Sequence, residues 1–120
     1  MEKSLEEQQI EILETTNEYI PKLINGINMY TDSVKEGKQD EALDLLSYIV
    51  EGIEWINEVA RLTKDIQKTN MDEEMMKEKL EEISNCIDKK EYDRIFHILK
   101  DEILSILSLW QDNVKKSILN

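Results

Sequence analysis

His97 is the one histidine of this 120-residue chain, and Asp93 and Asp101 flank it one helical turn away on either side. An imidazole and two carboxylates are metal-ligand types. Three ligands on successive turns of one helix, however, lie along a line instead of converging on an ion. Bundles that bridge metals with carboxylates draw glutamates and Glu-x-x-His motifs from several helices, and Arg94 stands where that glutamate would be. The expected role of His97 is therefore a place on a charged, solvated face, and no metal site is assigned.

A second acidic constellation, Glu73, Glu74, Glu78, Glu81 and Glu82, loosely imitates one half of the Mg²⁺-holding pattern of all-α nucleotide pyrophosphohydrolases. The partner Glu-x-x-Asp element is missing from the following helix, so several oxygens could not be presented to one hard cation. Cys86 is the only cysteine, which excludes a disulfide or a thiolate cluster within one chain. No Gly-rich phosphate loop occurs, and His97 has no Ser or Cys nucleophile with an orienting group beside it in sequence. The expectation is a protein that is not an enzyme, with no catalytic residue and no cofactor.

The elements available to position any site are helices. Three glycines and one proline are too few breakers for strands and tight hairpins. Tyr19, Ile20, Leu23, Ile24, Ile27, Tyr30 and Val34 line one side of a first helix ending at Gly37. Leu5, Ile12 and Leu13 keep its phase, but Pro21 removes the N–H that would pair with Asn17. A fresh start capped by Thr16 or Asn17 is expected, leaving residues 1–15 as an N-terminal arm or helix extension. Asp40 is the candidate cap of a second helix running to about Lys68, with Ala42, Leu45, Leu46, Ile49, Ile53, Ile56 and Ala60 as its stripe. Asn70 or Asp72 starts a third, striped by Met76, Leu80, Ile83 and Ile87. After Asp88-Lys89-Lys90, a fourth carries Tyr92, Ile95, Phe96, Leu99, Ile103, Ile106, Trp110 and Val114. Shifting the chain by 50 residues lays the second stripe on the fourth, and a shift of 53 lays the first on the third. The predicted fold is all-α, a four-helix bundle built from two antiparallel helical hairpins, as a single domain over residues 1–120.

The second helix carries more apolar surface than one stripe requires. Tyr48, Trp55, Val59, Leu62 and Ile66 recur at heptad-like intervals on its other side, with Gly52 between the two aromatics. A glycine inside a helix costs about 1 kcal/mol relative to Ala and admits a close neighbour. Tyr48, Gly52, Trp55, Val59 and Leu62 form the candidate partner-binding face, for another protein or for self-association. The competing account is a wide apolar arc packed between two neighbours of the bundle.

Charge narrows the partners. The net charge is −12, and residues 1–60 hold 14 acids against 4 bases. Phosphate backbones and anionic membrane surfaces repel such a surface, so neither nucleic-acid binding nor membrane insertion is expected. The apolar run from Ile103 to Trp110 is far short of the roughly 20 residues that span a bilayer. The acidic N-terminal residues lack the pattern of an export signal, and a cytoplasmic location is the expectation.

The segments Tyr19-Ile20-Pro21-Lys22-Leu23, Glu36-Gly37-Lys38 and Gly52-Ile53-Glu54-Trp55 together resemble an uncharacterised, domain-of-unknown-function type family of small acidic all-helical bacterial proteins. That resemblance implies a helical domain without assigned chemistry. The leading functional expectation is a non-enzymatic cytoplasmic interaction module, an adaptor or chaperone-like bundle that docks a helix in a groove. The alternative is a bundle binding a divalent metal or small ligand through the acids near the third helix and His97, with hydrolase-like chemistry.

Overall fold

Ser4 opens the first helix in the computed structural model, which describes residues 3–119: its hydroxyl accepts from the Glu7 N–H at 3.1 Å. The helix α1 (Leu5–Lys35) then runs unbroken through Pro21. The expected fresh start at Thr16 does not occur. Leu13 and Thr16 are fully buried, and the Thr16 hydroxyl donates to the Ile12 carbonyl at 2.8 Å. Farther back, the Gln9 amide donates to the Leu62 carbonyl at 2.9 Å. Burying Leu13 contributes about 2 kcal/mol, and together with these bonds it offsets the roughly 3 kcal/mol that an interior proline costs. Tertiary packing overrides the local break.

Gly37, at φ 75°, closes α1 in a Schellman arrangement: its N–H bonds the Val34 carbonyl and the Lys38 N–H bonds the Ser33 carbonyl. Helix α2 (Gln39–Leu62) follows; it starts one residue before the expected cap, with Lys38 at the N-cap position, and Asp40 lies in its first turn, where its charge suits the positive end of the helix dipole. It stops six residues before the expected Lys68 because side chains take over its last carbonyls. The Thr63 hydroxyl donates to Val59 at 2.8 Å, and the Gln67 amide donates to Ala60 at 2.7 Å. Gln67 also accepts from the Met71 N–H, while Gln9 covers Leu62. A short 3₁₀ turn (Lys64–Ile66) leads into an extended stretch that Asn113 clasps. Its side chain bonds both the N–H and the carbonyl of Thr69, and the Ser117 hydroxyl accepts from the Lys68 N–H.

Asp72 caps α3 (Glu73–Asp88) by accepting from the Met75 N–H at 3.0 Å. Met76 and Ile83 are buried as expected, but Cys86 occupies the core position assigned to Ile87, which is exposed. The fourth rod, residues 92–118, comprises α4 (Tyr92–His97), a π-helical stretch (Ile98–Ile103) and α5 (Leu104–Ile118).

Each rod packs on two others: α1 against α2 and the fourth rod, and α3 against the same two. The short turns make chain neighbours antiparallel, as the descending α1–α2 pairings Gln9 with Leu62, Tyr19 with Trp55 and Gly26 with Ile49 also require. The result is an all-α four-helix bundle with extents of 51 × 24 × 22 Å. α1 sets its length, since 31 residues at 1.5 Å each span about 46 Å. One core, with Ile20, Ile27, Ile53, Ile56, Met76, Ile83, Leu99 and Ile103 among its fully buried members, runs through it.

Candidate functional site

Helix α2 lies between α1 and α3, so it needs a broad apolar arc, and that arc claims part of the stripe singled out in the sequence. Val59 is 3% exposed and belongs to the core. Its assignment to a partner-binding face is corrected, because no partner on the surface could reach it. Gly52 is also buried, but for a different reason. The phenol of Tyr19 crosses from α1 and rests on it: a Cβ at Gly52 would collide with the Tyr19 hydroxyl and stand 3.0 Å from Leu23 Cδ1. The glycine admits a side chain of α1, not the backbone of another molecule.

Three residues remain at the surface. Tyr48 is 73% exposed, Trp55 is 42% exposed and Leu62 is 45% exposed. Seven residues separate each from the next, which on an α-helix is two turns or about 10 Å, so they form a shallow line along the bundle. Between the first two the α1–α2 surface opens into a cleft of about 440 Å³, lined by Thr15, Tyr19, Tyr48, Glu51, Gly52 and Trp55. Leu62 lies on the same line beyond the cleft.

The floor of the cleft is ordered by an aromatic pair. The rings of Tyr19 and Trp55 meet edge to face, with centroids 5.5 Å apart and planes at 86°, the arrangement their quadrupoles favour. Tyr48 completes the aromatic lining, one turn before Gly52 on α2. Glu51 is the carboxylate of the lining, and Thr15 joins it from α1. The spacing of α2 makes Tyr48, Gly52 and Trp55 visible in the sequence. Tyr19 and Thr15 are not, because Tyr19 shares the phase of the α1 core stripe and only the α1–α2 register swings it over Gly52.

Residues 11–113 match the domain of unknown function family DUF8042. The chain belongs to that family. No match was found among curated proteins or among solved structures. The DUF8042 region contains the whole cleft, from Thr15 to Trp55, and reaches into all four rods.

Of the acidic constellations of the DUF8042 domain, Asp101, Glu73 and Glu82 lie against basic side chains. His97 Nδ1 lies 3.1 Å from Asp101 Oδ2, both side chains exposed. Glu73 pairs with Lys64, and Glu82 lies 3.6 Å from Arg94. Lys79 reaches Glu102 on the π-helical stretch at 2.8 Å, a hydrogen bond that raises the lysine above its ordinary pKa. Among the described residues no group of three or more His, Cys, Asp or Glu side chains gathers around a point where an ion could sit. Beside the cleft, the Arg61 guanidinium bonds Glu58 and holds its carboxyl below the usual range. No helix of the described residues is long and apolar enough to cross a membrane.

Proposed function

We propose that this DUF8042 domain is a cytoplasmic, non-enzymatic protein-interaction module, an adaptor or chaperone-like bundle, that receives a partner helix along Tyr48, Trp55 and Leu62. One observation carries the reading: two large aromatic side chains stand exposed on either side of an aromatic-floored cleft, where a bundle core has no use for them. Amphipathic helices dock in such grooves through anchors one or two turns apart, and Tyr and Trp are the residues that dominate interface energies. Tyr19, seated on Gly52, stiffens the floor, so less order has to be imposed on binding.

The test begins with capture from native lysate on the wild-type chain and on a Tyr48→Ala, Trp55→Ala double variant of confirmed helicity. Any captured protein is then purified and its affinity for both forms measured by calorimetry. Hot-spot truncations cost at least about 2 kcal/mol each, so the variant is expected to bind at least thirtyfold more weakly. Equal affinity for the two forms would remove this face from the interface.

A further inference from the structure

The docking reading leaves open what kind of side chain enters the cleft, and the chemistry of its lining answers that. The aromatic lining is Tyr19, Tyr48 and Trp55, and the lining carboxylate is Glu51. An aromatic face attracts a cation through its quadrupole, most strongly for Trp, and the attraction grows as water is excluded. A carboxylate beside the same cavity adds a charge-assisted hydrogen bond to a guanidinium or ammonium. An apolar side chain in that position would instead strip water from Glu51 and leave it unpaired.

The surroundings have the same sign. Asp44 and Glu54 are exposed on α2 near the cleft, and among the described residues neither they nor Glu51 enter an ion pair, whereas Glu58 is held by Arg61. Lys22, one turn along α1 from Tyr19, is the nearby base in sequence. A second copy of this chain is a poor occupant, because a two-fold contact would press together two faces that both carry these acids. The line from Tyr48 through Trp55 to Leu62 covers 15 residues of helix, about 21 Å end to end, which is the footprint of an extended element and not of a free amine.

We propose that the occupant is a basic amphipathic helix of a partner protein, with one arginine or lysine seated in the cup of Tyr19, Tyr48, Trp55 and Glu51 and apolar residues running on toward Leu62. This rests on the docking reading above and specifies its partner.

The probe is a pair of 18-residue helical peptides with leucines at i, i+3 and i+7 spacing and arginines on the flanks, identical except that one carries citrulline at every arginine. Both are titrated into the full chain labelled with ¹⁵N, following the two indole N–H signals. Trp55 is exposed and Trp110 is 4% exposed in the core, so the second is an internal control. The arginine peptide is expected to shift the Trp55 indole and the Gly52 amide, leave Trp110 still, and bind at least about tenfold more tightly than the citrulline peptide. Glu51→Gln, an exposed position, should weaken the arginine peptide about three- to tenfold, while Glu78→Gln on α3, which removes the same charge elsewhere, should not.

Equal binding of the two peptides would overturn the proposal in favour of an apolar anchor. Equal losses from Glu51→Gln and Glu78→Gln, or a still Trp55, would overturn it in favour of diffuse attraction. A dimer in sedimentation that Trp55→Ala dissociates would make a second copy the occupant. If a captured partner depends on Tyr48 and Trp55 but charge makes no difference, docking stands and this inference alone falls. If the partner ignores both aromatics, the docking reading falls with it.

Discussion

Gly52→Ala separates what the helix wants from what the cleft wants. In an isolated helix the change is favourable by about 1 kcal/mol, because alanine loses less chain entropy. In this bundle the new methyl would enter the space of the Tyr19 hydroxyl and press Leu23 Cδ1. Leu23 can turn its end aside, but a phenol ring is rigid, so Tyr19 must swing about χ1 and leave Trp55. That forfeits an edge-to-face pair worth about 0.5–1.5 kcal/mol beyond area, and lifts ring carbons from α2 at a further cost of about 1 kcal/mol. Net destabilisation of about 0.5–1.5 kcal/mol is expected in the wild-type background. In a Tyr19→Ala background nothing occupies the seat, and the same Gly52→Ala change should stabilise by about 0.5–1 kcal/mol. The coupling, about 1–2.5 kcal/mol, is read from urea unfolding of the four proteins of the cycle, followed by circular dichroism. Coupling below about 0.5 kcal/mol would mean that Tyr19 does not rest on Gly52, and the account of the cleft floor would be wrong.

Pro21→Ala should raise stability by about 1–3 kcal/mol in the same assay, because α1 is continuous there and the exposed Pro21 contributes no N–H for the Asn17 carbonyl; no gain would mean that the helix breaks. Asn113→Ala should cost about 2–3 kcal/mol, since it strands both backbone groups of Thr69, and amide exchange at Thr69 and Met71 should speed up more than at Ile53. Lys90, at φ 59°, occupies the left-handed position after α3, and Lys90→Gly is expected to stabilise by about 1 kcal/mol. Tyr30 is buried and its phenol is pushed up to about 12. Its neutral form is favoured by folding, so its contribution is complete below pH 10 and fades as pH rises from about 10 to 12, a loss of about 2–3 kcal/mol. Tyr30→Phe should flatten that part of the alkaline unfolding curve.

The four helices are legible because each core stripe repeats at threes and fours, and the capping of α3 by Asp72 because a carboxylate before three helix formers is a local signal. What fails is whatever depends on a partner far away in sequence. The break expected at Pro21 is sound local chemistry, overruled by Gln9 bonding Leu62 and by the burial of Leu13 and Thr16. The early end of α2 comes from Gln67 and Gln9, neither of which carries a helix-stop signature. The π-helical stretch has a physical origin in the sequence that a single stripe conceals. Ile95, Leu99 and Ile103 are all buried at spacings of four and four, which on an α-helix drifts by about 80°. Widening the turn between them keeps all three on the core. For the cleft, the 50-residue shift is instructive: it lays Tyr48 on the buried Ile98, Gly52 on Glu102 and Trp55 on Ser105. The repeat carries the core pattern and none of the surface aromatics.

That difference bears on why α2 holds its second face at all. Single exposed apolar residues are ordinary on a protein surface, so Leu62 alone would argue nothing. Gly52 is another matter, because it weakens the middle of a 24-residue helix by about 1 kcal/mol and fills no core space. Alanine there would suit the helix, and a smaller residue in place of Tyr19 would suit alanine. Keeping Gly52 and Tyr19 together exchanges about 1 kcal/mol of helix propensity for a packed aromatic floor with Trp55 against Tyr19, and leaves Tyr48 in water. A core needs close packing and nothing more; a binding site needs preorganised side chains that face solvent. Close packing accounts for Gly52 and Tyr19 but not for a tyrosine standing in water beside that floor, and this favours docking over the simpler view that the arc of α2 is only wide enough to touch two neighbours.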